Sequence, residues 1–262
     1  MNAIPLGQSA LLLAPCELFV FDFDGTVYSE TDHFLTYGEE VAHFVEDAKR
    51  PAFLAELFDA FHRHLYRSSA YGISDAGDTD YTRRDASGID DLWSVIGALA
   101  TQFGVHREDL QKAFAATREW MASSAYHMKP IPLLRESILS LRAAGSRVVM
   151  ATNSPRLHTE DMLLKLTLHD VFDEIVFDAH KPQGATDQFE GWLAKFQVDA
   201  ARAVSIGDHF RNEIEPALAL GMQTVYIDRH SRREPSPGVT VHLASPDELA
   251  QLFHTIASLH EC

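Results

Sequence analysis

Two aspartates, Asp22 and Asp24, come at the end of a Phe- and Val-rich run, residues 17–23 (ELFVFDF), with Phe23 alone between them. Residues i and i+2 of a strand point to the same side, so an extended chain starts both carboxylates side by side. Adjacent carboxylates raise each other's proton affinity unless a cation sits between them. A hard cation with oxygen ligands, such as Mg2+, suits the pair, and Gly25 permits a tight exit from the strand. Three later stretches carry complementary groups. Thr152-Asn153 precedes Ser154-Pro155; with Pro155 at the first helical position, a hydroxyl, an amide and free backbone N–H groups meet at a helix N-terminus, a ready anion site. Lys181, before Pro182, is a point charge for a phosphoryl oxygen. Asp208 follows Gly207, with Glu213 five residues on, and a carboxylate there can complete a metal shell.

The elements around these residues explain how they meet. Strands are expected at 17–23, 147–151, 174–178, 203–206, 223–227 and 239–243, from short apolar runs bounded by glycine, proline and polar residues. Helices are expected between them at 131–144, 155–166, 186–196 and 212–220. A last helix starts at Ser245-Pro246-Asp247-Glu248, where serine, proline and glutamate hold the N-cap, N1 and N3 positions of a capping box. Strands alternating with helices predict an α/β fold, a doubly wound parallel sheet covered on both faces. In such a sheet ligands bind beyond the carboxyl ends of the strands, where all four stretches lie. Residues 28–128 interrupt the alternation with four helical stretches. They read as one inserted all-helical cap domain, leaving 1–27 and 129–262 as the core. Phe53, Leu54, Leu57, Phe58, Phe61 and Leu65 recur at helical spacing and are expected to form the cap's own core. A polar, glycine-containing loop at 70–88 is unusually long, and loops of that length are generally functional or disordered.

Composition bounds the class of partner. The 262 residues are 46% hydrophobic, ordinary for a globular chain. A formal charge of -16, from 22 basic and 38 acidic residues, repels polyanions. Nucleic acid and anionic membrane are therefore not expected partners, whereas a small anion needs only local positive charge. The two cysteines, Cys16 and Cys262, give no disulfide framework or zinc spacing. The apolar segment 10–14 is too short and lacks the basic residue of a signal peptide. No stretch is long enough to span a bilayer, and a cytoplasmic location is expected.

Each motif has a plain structural reading when taken alone. Thr152-Asn153 can be a helix cap, Lys181 a surface lysine, Gly207 a turn glycine and Glu213 a first-turn glutamate favoured by the helix dipole. The Asp22–Asp24 string is not a calcium loop: its glycine stands at position 4 rather than 6, and position 12 is His33. Arg83 and Arg84 can grip a second anionic group, but a solvated loop is the better reading. Asp75, Asp78 and Asp80 read as solvated as well. His62, His64, His209 and His230 show no metal-ligand spacing.

Order and placement lift the set above its parts. DFDGT, TN, KP and GD followed by an acidic residue resemble the four motifs of the haloacid dehalogenase-like hydrolases, over roughly 15–27 and 129–245. The cap resembles the family's helical type in position. The resemblance implies a Mg2+-dependent phosphatase that hydrolyses a small phosphorylated metabolite. Asp22 is then the nucleophile and a metal ligand. Asp24 is the general acid and then base, with its backbone carbonyl on the metal. Thr152, Asn153 and Lys181 hold the phosphate, Asp208 ligates the metal, and Gly25, Gly207 and Glu213 support the site. Within the family, a haloacid dehalogenase typically lacks the second aspartate, so Asp24 argues against that branch. A phosphomutase stays open. A catalytically silent binding module would usually have lost one of Asp22, Asp24, Lys181 or Asp208, and all four are present.

Overall fold

The structure, a computed structural model, describes residues 5–66, 91–229 and 238–260, with residues 62–66 as backbone only. Loop 70–88, with Asp75, Asp78, Asp80, Arg83 and Arg84, lies outside the described residues, as do His230 and Cys262. The side chains of His62, His64 and Leu65 fall outside them too.

The chain opens with α1 (Leu6–Leu13) and β1 (Leu18–Phe21). Four helices follow: α2 (His33–Ala42), α3 (Arg50–Tyr66), α4 (Leu92–Gln102) and α5 (Arg107–Ala122). Alternation then begins with α6 (Leu134–Ala143), β2 (Arg147–Ala151), α7 (Arg156–Lys165), β3 (Glu174–Val176) and α8 (Ala185–Phe196). It ends with β4 (Ala203–Gly207), α9 (Glu215–Ala219), β5 (Gln223–Ile227), β6 (Val241–Leu243) and α10 (Pro246–His260). Among the described residues, 5–30, 128–229 and 238–260 form one compact unit, and 31–66 with 91–127 form another.

The first unit is the α/β fold that the alternation predicts: six parallel strands in the order β3-β2-β1-β4-β5-β6. β1 is central because it is apolar on both sides. Leu18 and Val20 join the cluster containing Phe189 and Trp192 of α8. Phe19 and Phe21 turn the other way onto Phe253 of α10, ring centroids 5.4 and 5.3 Å apart. Burying each such ring contributes about 1.5–3 kcal/mol, so β1 is held from both faces. Phe21 sits level with Met150 of β2 and Ile206 of β4. The residues just beyond, Asp22, Ala151-Thr152 and Gly207-Asp208, therefore emerge together at one rim. The strand order reverses between β1 and β4, the switch point where parallel sheets bind ligands.

The apolar residues 10–13 lie in α1, which buries Ser9, Ala10 and Leu13 and packs on α10. Three local readings change. The helix expected from Pro155 is broken at its start. Leu157 (ψ 130°) and His158 (φ 67°) are non-helical, so regular turns begin only at Thr159. Thr159 Oγ1 donates to the Pro155 carbonyl at 2.6 Å across that break. The helix expected at 212–220 is instead a π-helical turn, Phe210–Ile214, leading into α9. The capping box at α10 forms one residue out of register on one side. Glu248 N–H donates to Ser245 Oγ at 3.3 Å, while Glu248 Oε2 accepts from the N–H of Ala244 rather than Ser245, at 2.8 Å.

The second unit is all-helical among its described residues. α2 packs on α5, α3 and α4, and Tyr37, Val41, Phe53, Ile96 and Leu99 are part of its core. The α3 stripe is narrower than its spacing implies: Phe53, Leu57 and Phe61 are buried, but Leu54 and Phe58 are 40% and 61% exposed. Asp91 accepts from the N–H of Ser94 at 2.7 Å and so caps α4. Among the described residues no helix is long and apolar enough to cross a membrane.

Candidate active site

Lys181 is the hub. Its side chain is 2% exposed, and its ammonium donates to Asp22 Oδ1 at 2.7 Å and to Glu213 Oε1 at 2.6 Å. The loop after β3 thus reaches across to the ends of β1 and β4. Burial alone would pull the Lys181 pKa down, but the charges of Asp22 and Glu213 outweigh it and hold the lysine above its ordinary value. Burial pushes Asp22 up, Lys181 opposes it, and Asp24 adds to the rise. Glu213 is raised further, first by burial and then by Asp22 against the pull of Lys181. Two buried carboxylates thus share one ammonium, an arrangement short of positive charge.

Each arm of the hub is fixed by its own neighbours. Asn153 donates from Nδ2 to the Lys181 carbonyl at 2.9 Å and accepts the Lys181 N–H on Oδ1 at 2.7 Å. Asn153 thus positions the Lys181 backbone, a role beyond the phosphate contact expected of it. Glu213 Oε2 accepts from the His209 N–H at 3.0 Å, and the Glu213 carbonyl accepts from Ser205 Oγ at 2.8 Å. Its side-chain partner on the other oxygen is Lys181. Thr152 is buried at the end of β2, and its Oγ1 accepts from the Ser154 N–H at 3.1 Å. Since α7 is irregular until Thr159, Thr152 lies at a strand-end turn and not in the first turn of a helix.

Two glycines allow close approach. Gly25 has φ +75°, and a Cβ there would stand 2.0 Å from Asp208 Oδ2, so the DFDGT turn and the Asp208 carboxylate touch. A Cβ on Gly207 would stand 2.4 Å from Glu213 Cγ. Gly25→Ala is expected to lose about 1–2 kcal/mol from the left-handed backbone alone, and to displace Asp208 as well. Urea unfolding checks the first, and an unchanged midpoint would refute it.

Asp24 is held by two hydroxyls. Its Oδ1 accepts from Tyr28 Oη at 2.7 Å and its Oδ2 from Ser154 Oγ at 2.6 Å. β1 stops at Phe21, so strand parity does not carry through Asp22 to Asp24. They stay close enough for Asp24 to raise the pKa of Asp22. The sequence reading gives Tyr28 and Ser154 no role in the site. A tyrosine four residues past an aspartate, or a serine after TN, looks like any core or turn residue until the fold brings it in. Thr26, the last residue of DFDGT, sets its Oγ1 against Asp22 Oδ2 at 3.4 Å.

The donor set fits Mg2+. Among the described residues no three His, Cys, Asp or Glu side chains gather as a preformed metal cage. Mg2+ does not require one: it takes one or two carboxylates and fills its shell with water and phosphate oxygens. Asp22 and Asp208 flank the DFDGT turn, all oxygen donors. The shortage of positive charge around Lys181 is what a divalent cation relieves.

The fold, the rim and the four motifs define a haloacid dehalogenase-like hydrolase; the chain matches that family over residues 16–221 and belongs to it. Among curated proteins it is similar to the glyceraldehyde 3-phosphate phosphatase of Methanocaldococcus jannaschii, 26% identical over 222 residues, 79% of this chain and 83% of that one. Two solved structures share the fold: a haloacid dehalogenase-like hydrolase from Xanthomonas campestris and a phosphatase of the family from Thermococcus onnurineus. The first is 20% identical with a TM-score of 0.51, covering 94% of this chain and 98% of its own. The second is 19% identical with a TM-score of 0.51, covering 90% and 96%.

Proposed function

We propose that the protein is a phosphatase that hydrolyses a small phosphomonoester through an aspartyl-phosphate on Asp22, with Mg2+ as cofactor. The observation that carries this is the buried Lys181 ammonium on Asp22 Oδ1 at the strand rim. It holds one carboxylate oxygen and leaves positive charge beside the place where an anionic phosphoryl group must arrive. Asp22 Oδ2 attacks phosphorus, the bond to the ester oxygen breaks, and that oxygen leaves with a proton from Asp24. Water then attacks the aspartyl-phosphate, giving its proton to Asp24, and inorganic phosphate departs with Asp22 restored. Thr152 and Lys181 hold phosphoryl oxygens, and Asn153 keeps Lys181 in place. Asp22, Asp208 and the Asp24 carbonyl would hold Mg2+, which when bound offsets charge on the phosphoryl oxygens. The helical unit, residues 28–128 in the sequence reading, acts as a cap that excludes water during transfer. A cap of this kind suits a small soluble ester. The name of the Methanocaldococcus relative makes glyceraldehyde 3-phosphate the first metabolite to try.

Phosphate release from p-nitrophenyl phosphate and a panel of phosphometabolites tests the proposal. Turnover is expected with Mg2+ and is expected to vanish in EDTA. A folded protein inactive across the panel with Mg2+ present would overturn it.

A further inference from the structure

Asp24 is gripped by two hydroxyls that come from different parts of the fold. Tyr28 lies in the turn after β1, is wholly buried, and packs at a tilt on Phe23 with ring centroids 5.5 Å apart. Its hydroxyl reaches Asp24 Oδ1 at 2.7 Å. Ser154 lies beyond β2, is 4% exposed, and reaches Asp24 Oδ2 at 2.6 Å. Ser154 is itself fixed at both backbone groups: its N–H donates to Thr152 Oγ1 at 3.1 Å, and its carbonyl accepts the Asp178 N–H at 3.1 Å. Pinned hydroxyls on both oxygens of a carboxyl group set its plane, and a short side chain so held loses both χ freedoms. We infer that Ser154 and Tyr28 are positioning residues that aim the Asp24 carboxyl group at the ester oxygen, and so govern how well the enzyme expels a basic leaving group.

The inference rests on the phosphatase reading above and deepens it. Proton delivery from a positioned acid contributes typically 10²–10⁴-fold, but only where the departing oxygen needs the proton. p-Nitrophenolate leaves readily without one, whereas phenolate is far more basic. The two esters differ by one nitro group, so a general loss of folding or binding affects both alike. kcat/KM isolates the step in which the ester oxygen departs.

Wild type, Ser154→Ala, Tyr28→Phe and Ser154→Thr are compared on p-nitrophenyl phosphate and phenyl phosphate with saturating Mg2+. The expected result is an extra loss of about tenfold or more on phenyl phosphate, relative to p-nitrophenyl phosphate, in Ser154→Ala and Tyr28→Phe. Ser154→Thr, which keeps the hydroxyl, is expected to restore the ratio. Equal losses on both esters, or no loss on either, would overturn the inference while leaving the phosphatase intact. If Ser154→Ala does not fold, Tyr28→Phe, which removes a single oxygen, decides. Wild type inactive on both esters would overturn the underlying reading and the inference with it.

Discussion

Asp22→Asn is expected to abolish turnover, by on the order of 10⁴-fold or more, while leaving the protein as stable as the wild type or more so. The amide has the shape of the carboxylate, and its oxygen can still accept from Lys181, which now donates at 2.7 Å. It removes a charge that burial and Asp24 both oppose. Two carboxylates on one ammonium become one, so the electrostatic cost of the site falls. An amide nitrogen, however, cannot form the acyl-phosphate, and no neighbouring carboxylate stands where Asp22 does. Phosphate release and urea unfolding on the same sample provide the check. Residual activity above one-hundredth of wild type would show that Asp22 is not the nucleophile. A large drop in stability would show that its charge is structural.

Lys181→Met has the opposite effect on stability, and the largest. Removing one partner of a buried ion pair leaves uncompensated charge and typically costs about 3–5 kcal/mol. Here the ammonium serves two carboxylates, Asp22 and Glu213, both raised above the ordinary carboxylate range even with Lys181 present. Without it both rise further. A carboxylate whose folded pKa exceeds its unfolded value of about 4 favours the folded state below that value. The advantage is lost as pH climbs through the folded pKa. The variant should therefore be nearest to wild-type stability in mild acid and fall behind steadily towards alkaline pH. Urea midpoints at several pH values in EDTA measure this. A deficit independent of pH would mean that Lys181 acts by packing. The double variant Lys181→Met, Glu213→Gln should recover part of the loss, because it removes one of the stranded charges.

Much of the fold was legible because its signals are local. The run at Leu18–Phe21 is apolar on both faces and reads as a buried strand, and the alternation after Lys129 predicted a parallel sheet. The motif residues were legible by order, since strand ends in a parallel sheet meet at one rim. What failed was whatever depends on the detailed path of the backbone. Pro155 suggested a clean helix start, yet His158 in the left-handed region delays it. The sequence 210–214 carried an ordinary helical pattern with no mark of the π-helical turn that brings Glu213 to Lys181. The hold of Asn153 on a backbone 28 residues away left no mark in the sequence. Tyr28 and Ser154 carried no signal at all, because a hydroxyl becomes notable only when the fold sets it against Asp24.

The double clasp of Asn153 on the Lys181 backbone bears on how the protein tolerates change. Asn153 is exposed, so a mutagenesis library designed by accessibility would treat it as free to vary. Its amide nevertheless supplies both a donor and an acceptor to the loop carrying the buried ammonium. Aspartate there keeps the acceptor but loses the donor, and serine is too short to span both groups. Directed evolution of substrate range in this scaffold should hold position 153 fixed.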